Sequence, residues 1–262
     1  MESAPQQAWL WEGAGFVPCS GVPLSDRGFR YGMSLFESLR VTESGPEHLE
    51  AHLESLREAC ASRAFPVSAE ALGAAGALLK EQAPLGREEH FARIYVTAGD
   101  GAPTAPATGC RVLVMSEPRP RPAQSAYRVT VAESAYCPPF AGLKTGNYWM
   151  NLEALRRAQA AGFEEALLFN ENAELVSACV ANVFLVHGGR IRTPSRECGA
   201  RPGVIRWEVL RRVDARECSL FLEDVLSADE IFLTNSWIGA MPVETLGARK
   251  LPSTAVSAGL RL

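Results

Sequence analysis

The chain has 262 residues, 47% of them hydrophobic and 21% charged, which are the proportions of an ordinary globular protein. Its formal net charge of −4 and its scattered arginines offer no basic surface, so no nucleic-acid partner is expected. The N-terminal sequence lacks the charge pattern of a signal peptide, and no run approaches the roughly 20 apolar residues that span a bilayer. We therefore expect a cytoplasmic protein with no membrane partner. Its seven cysteines include no CxxC pair, so neither a disulfide framework nor a metal site is expected.

The first half of the sequence alternates strands and helices. Four runs predict strands, at 8–18, 35–43, 90–99 and 110–118. Two helical patterns cover about 46–64 and 68–82. Residues 117–124, EPRPRPAQ, contain three prolines and few apolar side chains, which predicts a stiff extended connection. We expect a smaller N-terminal α/β domain over 1–118 and a linker over 119–124.

The second half, 125–262, predicts a larger C-terminal α/β domain. Its alternating or continuous apolar runs predict strands at 127–134, 165–170, 174–186 and 190–194. A helix is expected at 147–161 with Asn147 as its N-cap, and another from Gly203 to Val213 after a proline. A last helix and strand occupy 222–235. The fold class is α+β, with two unequal α/β domains.

Lys144, in AGLKTGNY, is the first candidate for chemistry. It follows an apolar and aromatic run that includes Tyr136 and Phe140, and it precedes a predicted helix N-terminus. Desolvation and a positive dipole end both lower a lysine pKa, and the neutral amine is the form that reacts with a carbonyl. Solvent-exposed surface lysines are far more common than reactive ones, so a lysine is a candidate only because of its neighbours in the sequence.

Two loops suit an anion. The passage CGARPGVIRWEVL offers backbone N–H groups at the start of a helix, where the dipole favours a phosphate. The loop TNSWIGAMPV supplies Ser236 and further N–H groups. Each loop taken alone is equally consistent with an ordinary capped helix or a surface turn.

Six motifs in order give the sequence a family resemblance. DRGFRYGMSLFESLRV, KTGNY, ANVFLV, TP, PGVIR and SWIGAMPV together resemble the class IV aminotransferase family, the pyridoxal 5′-phosphate (PLP) proteins of fold type IV. That family includes branched-chain and D-amino-acid aminotransferases and aminodeoxychorismate lyase. The resemblance, from about Leu24 to Val243, implies PLP in the cleft between a smaller N-terminal and a larger C-terminal domain. It also implies a homodimer.

The resemblance assigns the cofactor contacts residue by residue. Lys144 becomes the lysine that binds PLP as a Schiff base and shuttles a proton between the substrate Cα and the cofactor C4′ carbon. Val204 and Ile205 are expected to donate backbone N–H groups to the phosphate, and Ser236 a hydroxyl and an N–H.

The resemblance also implies a substrate site. Tyr31 and Arg93 are expected to face the substrate, because a phenol and a guanidinium suit the carboxylate of an amino acid. Arg40 lies on the same predicted strand system and is ranked after Arg93.

Four positions depart from the family pattern. Ser55, in HLESL, stands where an arginine usually binds the phosphate, Ile205 replaces a threonine, and Ala98 replaces an arginine. Ser177, in LVSACVAN, stands where a glutamate usually pairs with the protonated pyridine nitrogen. A serine hydroxyl donates to a neutral ring nitrogen but does not stabilise its protonated form, so the ring is expected to be a weaker electron sink. Glu174 is three residues away on a strand and faces the other side.

The loss of a cation at Ser55 predicts weaker phosphate binding. Arg57 follows two residues later and faces elsewhere on the helix. Arg201, in GARPG, is an alternative cation for the phosphate.

The leading hypothesis is a PLP enzyme that acts on the amino group of amino acids, narrowly favoured to be an aminotransferase. A lyase of the aminodeoxychorismate type shares the same motifs. A catalytically degenerate binding protein is the rival that the four replacements allow, and retention of Lys144 and Arg93 speaks against it. A phosphate-metabolite binder without covalent chemistry has no need of the lysine.

Overall fold

The computed structural model describes residues 7–84, 88–138 and 140–260. They divide into two compact units. The first lies within Met1–Arg121 together with Leu143–Asn147, and the second within Pro122–Gly142 together with Tyr148–Leu262. The chain passes to the second unit inside the proline-rich stretch. The short strip 143–147, which the sequence analysis had put in the C-terminal domain, packs with the first unit instead.

The described part of the first unit forms a six-stranded antiparallel sheet in the order β2-β1-β6-β5-β3-β4. Its strands are β1 (Gln7–Trp11), β2 (Phe16–Pro18), β3 (Ser34–Thr42), β4 (Gly45–Pro46), β5 (His90–Thr97) and β6 (Arg111–Pro118). Its helices are α1 (Arg27–Tyr31), α2 (Leu49–Ser62) and α3 (Ala69–Glu81).

Side chains alternate between the two faces of this sheet. Leu39 and Val41 of β3 and Ile94 of β5 are fully buried in one core with Leu56 of α2 and Leu79 of α3. The residues between them in sequence point to the opposite face. The face away from the helices therefore carries Phe36 of β3 and Arg93 and Tyr95 of β5.

The second unit contains a mixed sheet. Its described strands are β7 (Tyr127–Val131), β8 (Glu165–Phe169), β9 (Leu175–Ala178), β10 (Asn182–His187), β11 (Arg190–Pro194), β12 (Ala215–Cys218), β13 (Glu230–Asn235), β14 (Gly239–Leu246) and β15 (Arg249–Lys250). They run in the order β12-β11-β10-β13-β14-β7-β8-β9, with β15 beside β14. The pairs β11–β12, β14–β7 and β7–β8 are parallel and the rest antiparallel.

Helices cover this second sheet. They are α4 (Trp149–Ala160), α5 (Val204–Arg212), α6 (Leu222–Ser227) and α7 (Ala255–Gly259), with a short 3-10 turn at Arg196–Cys198. Phe184 of β10 and Phe232 of β13 stack face to face, with ring centroids 4.8 Å apart, in a core that includes Val209 of α5.

The predicted helices lie within a few residues of the observed ones. The Ser68 side chain caps α3 by accepting the Ala71 N–H, as its residue type favours. The prediction for Asn147 was wrong. Tyr148 is the N-cap of α4 and no side chain caps it, while Asn147 donates its amide to the carbonyl of Gly32 at 3.3 Å. Among the described residues, no helix is long and apolar enough to cross a membrane.

Candidate active site

Lys144 lies on a short strip that is hydrogen-bonded to the edge of β3. The Phe36 N–H donates to the Lys144 carbonyl at 3.0 Å, and the Gly146 N–H donates to the Ser34 carbonyl at 2.9 Å. Thr145 forms an isolated antiparallel bridge with Leu35. The backbone of the KTGN sequence is therefore held like an additional strand, which fixes the point from which the lysine side chain extends.

Two glycines make this close approach possible. A Cβ on Gly146 would lie 2.3 Å from the Ser34 hydroxyl oxygen, closer than any real contact. Gly32, at φ +68°, ends α1 in the left-handed region, and a Cβ there would lie 2.2 Å from the Asn147 side-chain oxygen. The sequence motifs DRGFRYG and KTGN thus fit against each other.

The first of these motifs is anchored by a buried ion-dipole network. Arg27 is fully buried and donates to the carbonyls of Ala98 at 2.5 Å and Ala105 at 2.6 Å. Asp26 accepts from the N–H of Gly28 at the start of α1 and from Arg111 of β6. Ala98 stands where the family pattern has an arginine. Its backbone carbonyl is fixed by the hydrogen bond from Arg27.

The environment of the Lys144 amine differs from the expected one. Its side chain is only 20% exposed, and Nζ lies 3.6 Å from Oε2 of Glu37 and 5.3 Å from the centroid of the Phe36 ring. The aromatic neighbour agrees with a partly desolvated lysine. The Glu37 carboxylate has the opposite effect to the one expected, because an adjacent negative charge stabilises the ammonium form of the lysine and not the neutral amine.

Glu37 is itself held by two residues of α2. Its Oε2 lies 2.9 Å from Nδ1 of His52, and its Oε1 accepts the Ser55 hydroxyl at 3.0 Å. Burial raises the pKa of Glu37, but Lys144, His52 and Ser55 together lower this pKa by more than burial raises it, to about 2. Ser55, expected at the cofactor phosphate, thus contacts a carboxylate that the sequence analysis did not single out.

Arg93 lies on the same face of β5 as the Phe36 side chain of β3. Its guanidinium carbon is 5.8 Å from the centroid of the Phe36 ring, and Nη1 donates to the Tyr95 hydroxyl at 3.1 Å. Its Nε is buried and has no hydrogen-bond partner among the described residues. Lys144 and Arg93 therefore both contact one aromatic ring.

The other two candidate substrate residues lie elsewhere in the first unit. Tyr31, at the end of α1, is 41% exposed, and the Arg30 guanidinium lies 4.9 Å from its ring centroid. Arg40 pairs with Glu47 and, at 3.3 Å, with Glu89, so its charge is balanced by two carboxylates.

In the second unit, the start of α5 is shaped by Asn182. The Asn182 amide donates to the Arg201 carbonyl at 2.8 Å, and its Oδ1 would lie 2.3 Å from a Cβ on Gly203. Gly203 is the N-cap and provides no side chain to satisfy the helix end. The N–H groups of Val204 and Ile205, in the first turn, have no acceptor within the helix. The asparagine of ANVFLV and the glycine of PGVIR therefore form one structural unit.

The arginine of PGVIR has a structural role. Arg206 is 3% exposed and donates to the Pro194 carbonyl at 2.9 Å and to Glu217. The Thr193 hydroxyl donates to the Val183 carbonyl at 2.8 Å. The Arg206 contact ties the TP motif to α5, and the Thr193 contact ties the same motif to β10.

Ser177 is buried on β9, opposite Leu168 of β8. The Glu174 carboxylate accepts from Ser219 at 2.6 Å and from Asn170 at 3.0 Å, so its oxygens are engaged away from Ser177. Ser236 lies in the turn after β13, next to Asn235, whose side chain accepts two backbone N–H groups of the same turn.

Sequence reasoning missed a buried carboxylate near Ser177. Glu165 of β8 accepts the N–H groups of Cys179 at 2.8 Å and Val180 at 3.0 Å, in the turn that joins β9 to β10. Burial raises its pKa to about 7, although these hydrogen bonds lower it in part. It missed Tyr148 too, whose hydroxyl accepts from Arg201.

The sequence held one signal for Glu37. Glu37 occupies a core-facing position between Leu35 and Leu39, where an acidic residue requires a buried partner. The partners lie on α2 and on the 143–147 strip, and their contact with β3 is not visible in the sequence.

Comparison with known proteins identifies the family. A family model described as amino-transferase class IV matches residues 34–246. The aminodeoxychorismate lyase of Vibrio harveyi is 28% identical over 250 residues, covering 88% of this chain and 90% of that protein.

Solved structures share the fold. The 4-amino-4-deoxychorismate lyase of Pseudomonas aeruginosa has a TM-score of 0.82 and 29% identity, with 97% of this chain and 96% of that chain covered. The branched-chain aminotransferase of Thermoproteus uzoniensis has a TM-score of 0.84 at 21% identity, with 96% and 91% covered, and shows the fold alone. The expected α+β fold class, built from α/β domains of the fold type IV kind, and the resemblance stated from the motifs are confirmed. The chain belongs to the class IV aminotransferase family.

Proposed function

We propose that the chain is a PLP-dependent enzyme that acts on the amino group of amino acids, and that it is an aminotransferase. The observation that carries the proposal is the pair of cations beside the Phe36 ring. Lys144 Nζ lies 5.3 Å and the Arg93 guanidinium 5.8 Å from that ring centroid, within one unit. A reactive amine suits the PLP aldehyde, with which the amino group of an amino acid also condenses, and a guanidinium suits the carboxylate of that amino acid.

The residues of each unit, taken separately, fit PLP. In the first, Lys144 is a partly buried primary amine, the group that condenses with the PLP aldehyde. In the second, the N–H groups of Val204 and Ile205 stand at the positive end of α5, which suits a phosphate. We propose Ser236 as a further phosphate donor and Ser177 as a hydroxyl donor to the pyridine nitrogen.

The chain's own residues then have distinct tasks. PLP, when bound, supplies the electron-withdrawing ring that allows a proton to leave the substrate Cα. Lys144 takes this proton at Nζ and returns it, while Arg93 and Tyr31 orient the substrate through its carboxylate. We propose that Ser55 acts through Glu37, to which it donates. Arg40 is left out of the proposed site because Glu47 and Glu89 balance its charge.

A lyase is the second candidate. Two compared proteins with 28% and 29% identity over most of the chain are named aminodeoxychorismate lyases. A lyase of that type is expected to use the same lysine and the same phosphate site, so the geometry of Lys144 does not separate it from an aminotransferase.

The substrates separate the two activities. The PLP-supplied chain is incubated with a panel of amino acids and 2-oxo acids, and separately with 4-amino-4-deoxychorismate, and products are followed by mass spectrometry. The proposal predicts transfer of the amino group to the oxo acid, lost in Lys144→Ala and kept in Lys80→Ala. Consumption of 4-amino-4-deoxychorismate without amino transfer replaces the proposal with a lyase. No turnover of either substrate favours the degenerate binding protein.

We also propose the partners and the location. The partners are a small amino acid and a 2-oxo acid, and a second copy of the chain in a homodimer, with the protein in the cytoplasm. These proposals rest on the family to which the chain belongs.

A further inference from the structure

Glu37 places a buried carboxylate on the core-facing side of β3. The Glu37 side chain extends from β3 toward α2, on the face of the sheet where Leu39 and Ile94 are fully buried. A carboxylate at such a place has to be paired and hydrogen-bonded, since an isolated buried charge is very costly. The fold supplies three partners from two separate segments: His52 and Ser55 from α2, and Lys144 from the 143–147 strip.

The three partners leave Glu37 fixed in position. Ser55 donates to Oε1, and His52 lies 2.9 Å from Oε2, the oxygen that faces Lys144 at 3.6 Å. The backbone of Lys144 is fixed independently by its hydrogen bond from Phe36 on the neighbouring position of β3. The carboxylate and the amine are therefore oriented toward each other from both sides. Among the described residues, His52 and Lys144 are the titratable groups that lower the pKa of Glu37.

We propose that Glu37, held by His52 and Ser55, is a positioning residue that stabilises the ammonium form of Lys144 and so strengthens this lysine as a base. The inference rests on the proposed function of Lys144. When Lys144 takes the proton from the substrate Cα, Nζ becomes an ammonium and Glu37 remains a carboxylate. The proton stays on Nζ until it is returned, and no proton passes to Glu37.

A stronger base at Lys144 would offset the weaker electron sink that the serine at position 177 implies. A ring nitrogen that faces a hydroxyl is a poorer electron sink than one paired with a carboxylate. A base whose protonated form is stabilised by a fixed carboxylate removes the Cα proton more readily. In this chain, Ser55 gives the Glu37 carboxylate a neutral donor on Oε1, while Oε2 faces both Lys144 and His52.

Competitive labelling tests the pairing without relying on turnover. The sequence contains three lysines, Lys80, Lys144 and Lys250, so each is resolved by peptide mass spectrometry. The full chain, freed of PLP, is acetylated with acetic anhydride between pH 6 and 10, with Lys80 and Lys250 as internal references. Because the neutral amine is the reactive form, Glu37→Gln is expected to raise Lys144 labelling at pH 7 about tenfold. Glu37→Asp, with its carboxylate drawn back, gives an intermediate increase.

The matched control is Glu54→Gln, because Glu54 is an exposed carboxylate that pairs with Arg57 on α2, the helix that carries His52 and Ser55. Its Lys144 labelling is expected to stay within about twofold of wild type, since Glu54 forms its pair with Arg57. Unchanged Lys144 labelling in folded Glu37→Gln overturns the proposal. If that variant does not fold, Glu37→Asp decides by the same criterion.

A second measurement separates a positioning role from a structural one. Exchange of the substrate Cα proton in D2O is followed by NMR as a function of pH. The proposal predicts that Glu37→Gln lowers the plateau rate about tenfold and shifts the acidic limb, along which Lys144 loses its proton, to lower pH. A lower plateau with an unshifted limb overturns it. Absence of a PLP adduct on wild-type Lys144 contradicts the proposed function instead, and leaves the labelling comparison valid.

Discussion

Serine, isoleucine and alanine replace charged or hydroxylated residues at the four positions where this chain departs from the family pattern, and two of the four make hydrogen bonds within the fold. Ser55 donates to Glu37, and the carbonyl of Ala98 is held by Arg27. Ile205 and Ser177 are buried. None of the four brings a substitute charge, so any compensation comes from neighbours such as Glu37.

Ser177 offers a test of the cofactor contact. We expect Ser177→Glu to raise the rate of amino transfer from a suitable donor, because a carboxylate beside the ring nitrogen favours its protonated form. The rate is measured under single-turnover conditions with PLP-saturated protein. Ser177→Ala, which removes the hydroxyl without adding charge, is the control and is expected to be slower than wild type. Loss of PLP binding in Ser177→Glu would show that this residue does not face the ring nitrogen.

Glu165 predicts a pH-dependent stability. Its folded pKa of about 7 exceeds the ordinary value of 4.5, so the folded protein keeps a proton that the unfolded chain releases between these values. The contribution of Glu165 to the free energy of unfolding is therefore fully present below pH 4.5. It is lost as the pH rises to about 7, and the loss is on the order of 3 kcal/mol. Glu37, with a pKa lowered to about 2, acts in the opposite sense and only below pH 4.5.

The measurement is denaturant unfolding at pH 5 and pH 8. Wild type is expected to be less stable at pH 8 by an amount that Glu165→Gln largely removes, because the amide does not ionise. An equal fall in both proteins assigns the pH dependence to other groups.

At the scale of elements, the strip 143–147 packs so closely on β3 that, with Ser34 present, a side chain at position 146 meets the serine hydroxyl. A Cβ on Gly146 would lie 2.3 Å from the Ser34 hydroxyl oxygen but 3.7 Å from the Ser34 Cβ. Gly146→Ala is therefore expected to destabilise the chain by about 1–3 kcal/mol and to reduce PLP attachment at Lys144. Ser34→Ala removes the clashing oxygen, so the double variant should regain most of both losses. The cycle is measured by unfolding and by adduct yield, and additive losses in the double variant contradict this explanation.

The long-range contacts of the same strip could not be predicted from the sequence. The helices α2 and α3 were predicted to within a few residues because their apolar spacing and the Ser68 cap are local signals. Asn147 carries equally good cap chemistry, yet its amide binds the carbonyl of Gly32, more than a hundred residues earlier. Glu37 likewise became recognisable as a site residue only with α2 and the strip beside it. Long-range pairing of this kind leaves no periodic signal in one sequence.

At the scale of the whole molecule, the motif order was enough to identify the family, and the comparisons confirm it over residues 34–246. The motifs proved to be mutually supporting contacts within each unit: Gly32 with Asn147 in the first, and Asn182 with Gly203 in the second. What the motifs did not predict is how the chain uses Ser55. Its contact with Glu37 replaces the expected contact with phosphate in our account.

Attachment of PLP to Lys144 is tested by chemical trapping. The purified chain is supplied with PLP, its absorbance is recorded, and it is reduced with borohydride and mapped by peptide mass spectrometry. With three lysines in the sequence, the assignment is unambiguous. We expect a yellow protein whose reduction yields one PLP adduct on Lys144, lost in Lys144→Ala and kept in Lys80→Ala. An adduct on Lys80 or Lys250 alone, or no adduct at saturating PLP, contradicts attachment at Lys144.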